Sequence, residues 1–166
     1  MPDSEELKKA KAIALRYLSY RDRSEFEIRE HLRRKEFCKS NIQETVRWLT
    51  RLGYLNDERF ALNWSRSRIS AKKFGEYRLR RELTAKGLAT AIIEQTLQLV
   101  YSENNEWDLA QSLAQKKLSQ FKGVDSKSKS RRLAQYLQRK GFPSDTVFKT
   151  VQQLIPNNHD REFSSG

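Results

Sequence analysis

The sequence predicts an all-α protein, an elongated right-handed array of three tandem three-helix repeats. Two observations carry this reading. The first is a set of seven positions that occurs three times: Ile28, Leu32, Lys35, Phe37, Ile42, Val46 and Leu49; then Leu79, Leu83, Lys86, Leu88, Ile93, Leu97 and Val100; then Leu133, Leu137, Lys140, Phe142, Val147, Val151 and Leu154. The internal spacing is identical in all three, and the copies start 51 and 54 residues apart. A period of that size marks stacked helical units, each burying its apolar stripe partly against a neighbour. The second is the lack of any alternating run of β-branched residues bounded by turn signals, so no strand is expected.

The elements follow in order. Repeat 1 covers 1–56. Its first helix, 5–19, carries Leu7, Ala10, Ala14, Leu15 and Leu18 at helical spacing. Ser24 with Glu27 has capping-box spacing and opens a second helix running to about Arg34. Ser40 with Gln43 has the same spacing and opens a third, 41–51, which Gly53 ends in the left-handed conformation. Repeat 2 covers 57–104, with helices at 57–71, 76–86 and 90–101 and Gly87 as the stop of the second. Repeat 3 covers 105–156, with helices at 106–120, 126–139 and 145–154. Gly141 stops the second, Pro143 occupies the first turn of the third, and Ser144 and Asp145 are its candidate caps. Residues 157–166 read as a mobile polar tail.

Composition narrows the function. Hydrophobic residues make up 37% and charged residues 33%, which suits a chain with much surface for its volume. Thirty-three Lys and Arg against 21 Asp and Glu give a net charge of +12. Residues 1–56, 57–102 and 103–156 carry +4, +4 and +5 and the last ten residues −1, so the basic footprint is long. A chain this basic suits a polyanionic partner, of which nucleic acid is the commonest. Cys38 is the only cysteine, which excludes an internal disulfide and fits a reducing compartment. No apolar run approaches a membrane span, and the acidic N-terminus lacks the hydrophobic stretch of a secretory signal, so the cytosol is expected.

Catalytic chemistry has little to work with. The chain has no phosphate-binding Gly-Lys-Ser/Thr loop. His31 and His159 lie outside zinc-like spacing with Cys38. His31 precedes core Leu32 and reads as a helix-flank residue. The densest internal acidic pair, Asp57-Glu58, is accounted for by a helix dipole. No enzyme activity, metal or cofactor is expected. Binding is better supported. Arg66, Arg68, Lys72, Lys73, Arg78, Arg80, Arg81 and Lys86 crowd one stretch, opposed only by Glu76 and Glu82. With Leu79 and Leu83 facing the core, Tyr77, Arg78 and Arg81 project to the opposite side and Arg80 to the flank. A tyrosine between guanidiniums suits base stacking and phosphate contact, and it suits an acidic protein surface equally well. Repeat 3 adds Lys127, Lys129, Arg131, Arg132, Arg139 and Lys140. Ser126, Ser128 and Ser130 make a weak helix start there, expected to order on binding. Trp48, Trp64 and Trp107 read as packing residues.

Three stretches resemble the RecX regulatory proteins of bacteria. They are Arg21-Asp22-Arg23-Ser24-Glu25-Phe26-Glu27-Ile28 with Leu32, Gly53-Tyr54-Leu55-Asn56-Asp57-Glu58-Arg59-Phe60-Ala61, and Lys73-Phe74-Gly75-Glu76-Tyr77-Arg78-Leu79-Arg80-Arg81-Glu82-Leu83 with Lys86-Gly87. The chain departs from the family pattern at Asn56, where Asp is common, and at Glu76, where Pro often follows the Gly. The resemblance implies a crescent of three-helix repeats that binds the RecA recombinase and its filament on DNA, lies along the filament groove and restrains it, with no catalytic residues. Single-stranded and duplex DNA are expected partners, and a monomer the expected state. The alternative reading is a basic helical-repeat protein that binds nucleic acid without a protein partner.

Overall fold

A computed structural model describes residues 4–156. The described residues form nine α-helices and no strand: α1 Ser4–Leu18, α2 Glu25–Arg34, α3 Lys39–Arg51, α4 Asp57–Lys72, α5 Glu76–Ala85, α6 Thr90–Glu103, α7 Glu106–Leu118, α8 Ser126–Lys140 and α9 Ser144–Leu154. The all-α, three-by-three organisation expected from the repeat is thus present.

The helix starts show where side-chain caps operate. Ser24 forms the full capping box: its side chain accepts from Glu27 N while the Glu27 carboxylate accepts from Ser24 N. Two other expectations are corrected. Cys38, not Ser40, is the N-cap of α3, and Pro143, not Ser144 or Asp145, is that of α9; neither makes a side-chain cap bond. In both cases the residue entering the helix follows a phenylalanine packed on the core, half-buried Phe37 before Cys38 and buried Phe142 before Pro143, and packing fixes the start without a cap. The serine-rich start of α8 is also helical without a partner, because Asp125 accepts from Ser128 N at 2.9 Å. The expected tail lies outside the described residues.

The seven-position pattern is the core. Its apolar members are buried throughout, except Phe37, Val151 and Leu154, which are half-buried. Two further repeated features were not read from the sequence. Each first helix buries a pair of small residues four apart, Ala10 and Ala14, Ala61 and Ser65, Ala110 and Ala114, which lets neighbouring helices approach closely. Each third helix buries a threonine at one equivalent place, Thr45, Thr96 and Thr150.

The chain divides into two compact units, and the division runs through the middle repeat. One unit holds the residues up to Trp64 together with Glu82–Thr96; the other holds Ser65–Arg81 and the residues from Leu97 on. In the first, α1, α2 and α3 pack on one another around Ala10, Ala14, Ile28, Leu32, Ile42, Val46, Leu49 and Leu55. In the second, α7, α8 and α9 do so around Ala110, Ala114, Leu133, Leu137, Phe142 and Val147.

Each unit contains one joint between successive repeats, built to a common plan. The start of one repeat's second helix meets the end of the next repeat's second helix. In the first joint, Ser24 Oγ donates to Lys86 O at 2.7 Å, and Asp57 accepts from Glu25 N at 2.8 Å. In the second, Gly75 N donates to Lys140 O at 2.9 Å, and Glu106 accepts from Glu76 N at 2.8 Å. Gly87 and Gly141 close the joints in the left-handed conformation, φ 72° and 93°. A Cβ on Gly87 would lie 2.3 Å from the Phe26 side chain, and one on Gly141 would lie 2.3 Å from Arg78 Cβ and N. The equivalent residue of repeat 1 is Glu36, also left-handed at φ 63°, but exposed. Glycine is therefore needed where another repeat packs on the turn, and dispensable at Glu36, where the turn is exposed.

Candidate nucleic-acid interface

The second joint builds a cationic groove. Tyr77 N donates to Gly141 O at 3.0 Å, so α5 starts in backbone contact with the end of α8. This approach requires Gly75, whose added Cβ would lie 2.5 Å from the Gly141 carbonyl. Above the contact opens a cavity of about 520 Å³ lined by Tyr77, Arg78 and Arg81 from α5 and by Gln135, Gln138, Arg139 and Gly141 from the α8 side. No carboxylate lines it. Tyr77 is 54% exposed, a wide apolar face beside three guanidiniums. Guanidiniums present planar forks of donors that match phosphate and carboxylate oxygens, the two Gln amides can donate or accept, and the ring can stack on a base.

Arg78 is less of a surface residue than its helix position predicts. Its guanidinium lies over the Phe74 ring at 4.7 Å, and its Nη1 is 3.5 Å from Arg139 O. Helical phase placed it correctly on the side away from Leu79; the neighbouring repeat, which phase cannot reveal, half-buries it.

The other predicted site residues disperse. Arg66 is held by Glu103 at 2.6 Å and Arg80 by Glu76 at 2.7 Å. Lys86 belongs to the other compact unit, where it pairs with Glu27 at 2.8 Å and lies over the Trp64 ring at 4.6 Å. Arg68 is half-buried on α4. Lys127, Arg131 and Arg132 are exposed on the first half of α8, and Lys129 is half-buried there. These cations sit at a helix N-terminus, where the dipole disfavours them, and only the N-cap Asp125 offsets them. Lys72, Lys73 and Lys140 line a separate cavity of the same unit, together with Lys116 and Lys117. Sequence reasoning missed Gln135 and Gln138, which carry no charge signal, and the Lys116-Lys117 pair, whose signal was present at the end of α7.

The acidic positions of α2 are internally matched. Glu25 pairs with Arg29 at 2.7 Å and Glu30 with Arg33 at 2.8 Å. Glu27 accepts from Arg21 at 2.7 Å and from Lys86 at 2.8 Å. Burial alone would raise the Glu27 pKa, but those two cations and the Ser24 backbone outweigh it and hold the carboxyl at about 2. Burial raises Asp57 and Glu106 above the usual carboxylate range, against the backbone N–H each accepts. His31 flanks its helix as expected and stacks on Tyr17, centroids 3.9 Å apart. Trp64 donates to Glu82 at 3.0 Å, Trp48 packs on the first core, and Trp107 is half-buried. Among the described residues, no three His, Cys, Asp or Glu side chains converge as a metal site would need, and no helix is long and apolar enough to cross a membrane.

Fold and groove together define an all-α three-helix-repeat protein that carries a cationic cleft lined by no carboxylate. Comparison with known proteins makes the class specific. Residues 10–49 match the first three-helix domain of RecX, 56–97 the second, and 104–151 the third. The chain is 36% identical over 160 residues to the regulatory protein RecX of Prosthecochloris aestuarii, covering 95% of this chain and all of that one. It is 33% identical over 155 residues to the regulatory protein RecX of Amycolatopsis mediterranei, covering 93% and 88%. The crystal structure of RecX from Lactobacillus salivarius superposes with a TM-score of 0.81 at 26% identity, over 92% of this chain and 98% of that one. The chain belongs to the RecX family of regulatory proteins.

Proposed function

We propose that the chain binds the RecA recombinase and its filament on DNA, docks in the filament groove chiefly through its middle and third repeats, and restrains ATP hydrolysis and strand exchange without catalysing a reaction of its own. Its place of action is the cytosol, and it works as a monomer. Family membership supports the partner. The observation that carries the docking surface is the groove in which Tyr77, Arg78, Arg81 and Arg139 meet with no carboxylate among them. The corresponding positions of the first repeat include Glu27 and Glu30, both held in ion pairs, so that repeat offers less to an anionic partner.

The test is a titration of RecA's DNA-dependent ATPase with the protein and with Arg81→Ala. Arg81 is the better probe than Arg78, because it is exposed whereas Arg78 packs on Phe74. Arg81→Ala should fold normally and weaken filament binding and inhibition together. Full inhibition by the variant removes the groove as the docking face. The exposed Tyr77 favours a second reading, direct binding of single strands without a protein partner. Electrophoretic shifts on bare and on RecA-coated DNA separate the two, since only the first reading expects a preference for coated DNA.

A further inference from the structure

The two joints share a plan but differ in charge at two positions, and the difference has a chemical consequence. At the first joint Arg21, Lys86 and Glu27 form a closed ion-pair triad, with both cations over the Trp64 ring. The equivalent positions of the second joint are Lys72, Lys140 and Arg78. Both cations persist, while the carboxylate has become an arginine. Asp22 of the first repeat is likewise Lys73 in the second. Two more lysines, Lys116 and Lys117, then converge from α7. The result is a cavity of about 310 Å³ lined by five lysines with Ala71, Ser112, Leu113, Gln120 and Tyr136, and by no carboxylate.

Like charges brought together repel, and a bound anion relieves that repulsion. Here the internal compensation is aromatic. The Lys117 ammonium lies 5.2 Å and the Lys140 ammonium 5.6 Å from the Tyr136 ring centre, and Lys140 also lies 5.4 Å from that of Phe74. Burial, then Lys72 and Arg78, lower the Lys140 pKa, as expected of an ammonium with cations for neighbours. The cavity stands at the small end of ligand-site sizes, so it holds a compact anion and not a long strand. Five ammoniums, four on α4, α7 and α8 and one on the turn after α4, match several oxyanions in a row better than a single one.

We infer that the lysine cavity at the second joint is a binding site for the phosphate chain of a small polyphosphate, either a nucleoside triphosphate or inorganic polyphosphate. The phosphates bridge Lys72 and Lys140 as the Glu27 carboxylate bridges Arg21 and Lys86 at the first joint, and Tyr136 offers its ring to a base. The site stands apart from the cleft that serves filament docking, and its test does not depend on RecA.

The experiment is calorimetric titration of the full chain with sodium tripolyphosphate, ATP and orthophosphate at fixed ionic strength. Tripolyphosphate should bind saturably, one per chain. Lys116→Gln with Lys117→Gln should weaken it about tenfold or more, whereas Lys122→Gln with Lys149→Gln, the same charge change at exposed positions outside the cavity, should shift it less than about twofold. Arg78→Glu, which puts a carboxylate beside Lys140 at the position equivalent to Glu27, should weaken binding while circular dichroism stays helical. ATP binding tighter than tripolyphosphate identifies the nucleotide as the source; equal affinity identifies the phosphate chain itself. Absence of saturation, equal weakening by the two lysine doubles, or orthophosphate binding as well as tripolyphosphate would overturn the assignment.

Discussion

Single residues set the joints, and glycine is the clearest case. Gly53 and Gly141 are both left-handed, but an added Cβ meets nothing within 4 Å at Gly53 and meets the Arg78 backbone at Gly141. Gly53→Ala should therefore cost about 1–2 kcal/mol, the conformational penalty alone. Gly141→Ala should cost roughly 2–5 kcal/mol, because overpacking adds to that penalty. Glu36→Gly should stabilise by up to about 1 kcal/mol, since it relieves a left-handed residue on an open turn. Urea denaturation of the three variants checks the ranking, and equal costs at Gly53 and Gly141 would refute the packing argument.

At the scale of elements, a helix is held by its stripe and by its ends. Leu83 is fully buried on α5, and Leu83→Ala should cost about 2–5 kcal/mol. The start of α2 is held instead by Glu27. Its folded pKa of about 2 lies below the usual 4.5, so its stabilising effect is complete above pH 4.5 and is lost as the pH falls towards 2. Asp57, whose pKa is raised at the same joint, has the opposite sign: it favours the fold when protonated and loses that contribution as it ionises. A comparison with Glu27→Gln isolates the first term. The stability difference between parent and variant should shrink between pH 4.5 and 2, and a difference constant across that range would show that the triad contributes nothing through charge. Glu27 is thus no neutral control for charge reversal on the first repeat, and Glu30, with only its i,i+3 partner Arg33, serves better.

For the whole molecule, the net charge of +12 makes association with nucleic acid an electrostatic event. If about four to six cations replace phosphate counterions on a single strand, the log–log salt slope should be about −3 to −4. Sequence preference should be slight, because phosphate contacts position a protein without reading bases. Fluorescence anisotropy across a salt series gives the slope, and a flat dependence would contradict the electrostatic account. Against RecA-coated DNA, the same titration with Arg81→Ala should show weaker binding and a shallower slope.

The sequence alone determined the helices, the three copies and the apolar stripe of the core, because periodicity of apolar positions follows directly from helix geometry and from the need to bury a stripe; the small-residue pairs and threonines buried with it do not stand out in that apolar pattern. It determined Ser24 as a true cap, since a capping box is local chemistry, and it placed Tyr77 and Arg81 on the outer side of α5. It misplaced the caps of α3 and α9 because packing, which is not local, sets those starts. Only the tertiary structure decided which cations are held by distant carboxylates: Arg66 and Lys86 are held by Glu103 and Glu27, whereas Arg80 with Glu76 is an i,i+4 pair that helix geometry already implies. It alone brought Gln135, Gln138 and Arg139 to Tyr77, because residues some sixty positions apart become neighbours only when one repeat closes on the next, and it alone brought Lys116 and Lys117 to Lys140, because two helices of one repeat meet only when they pack.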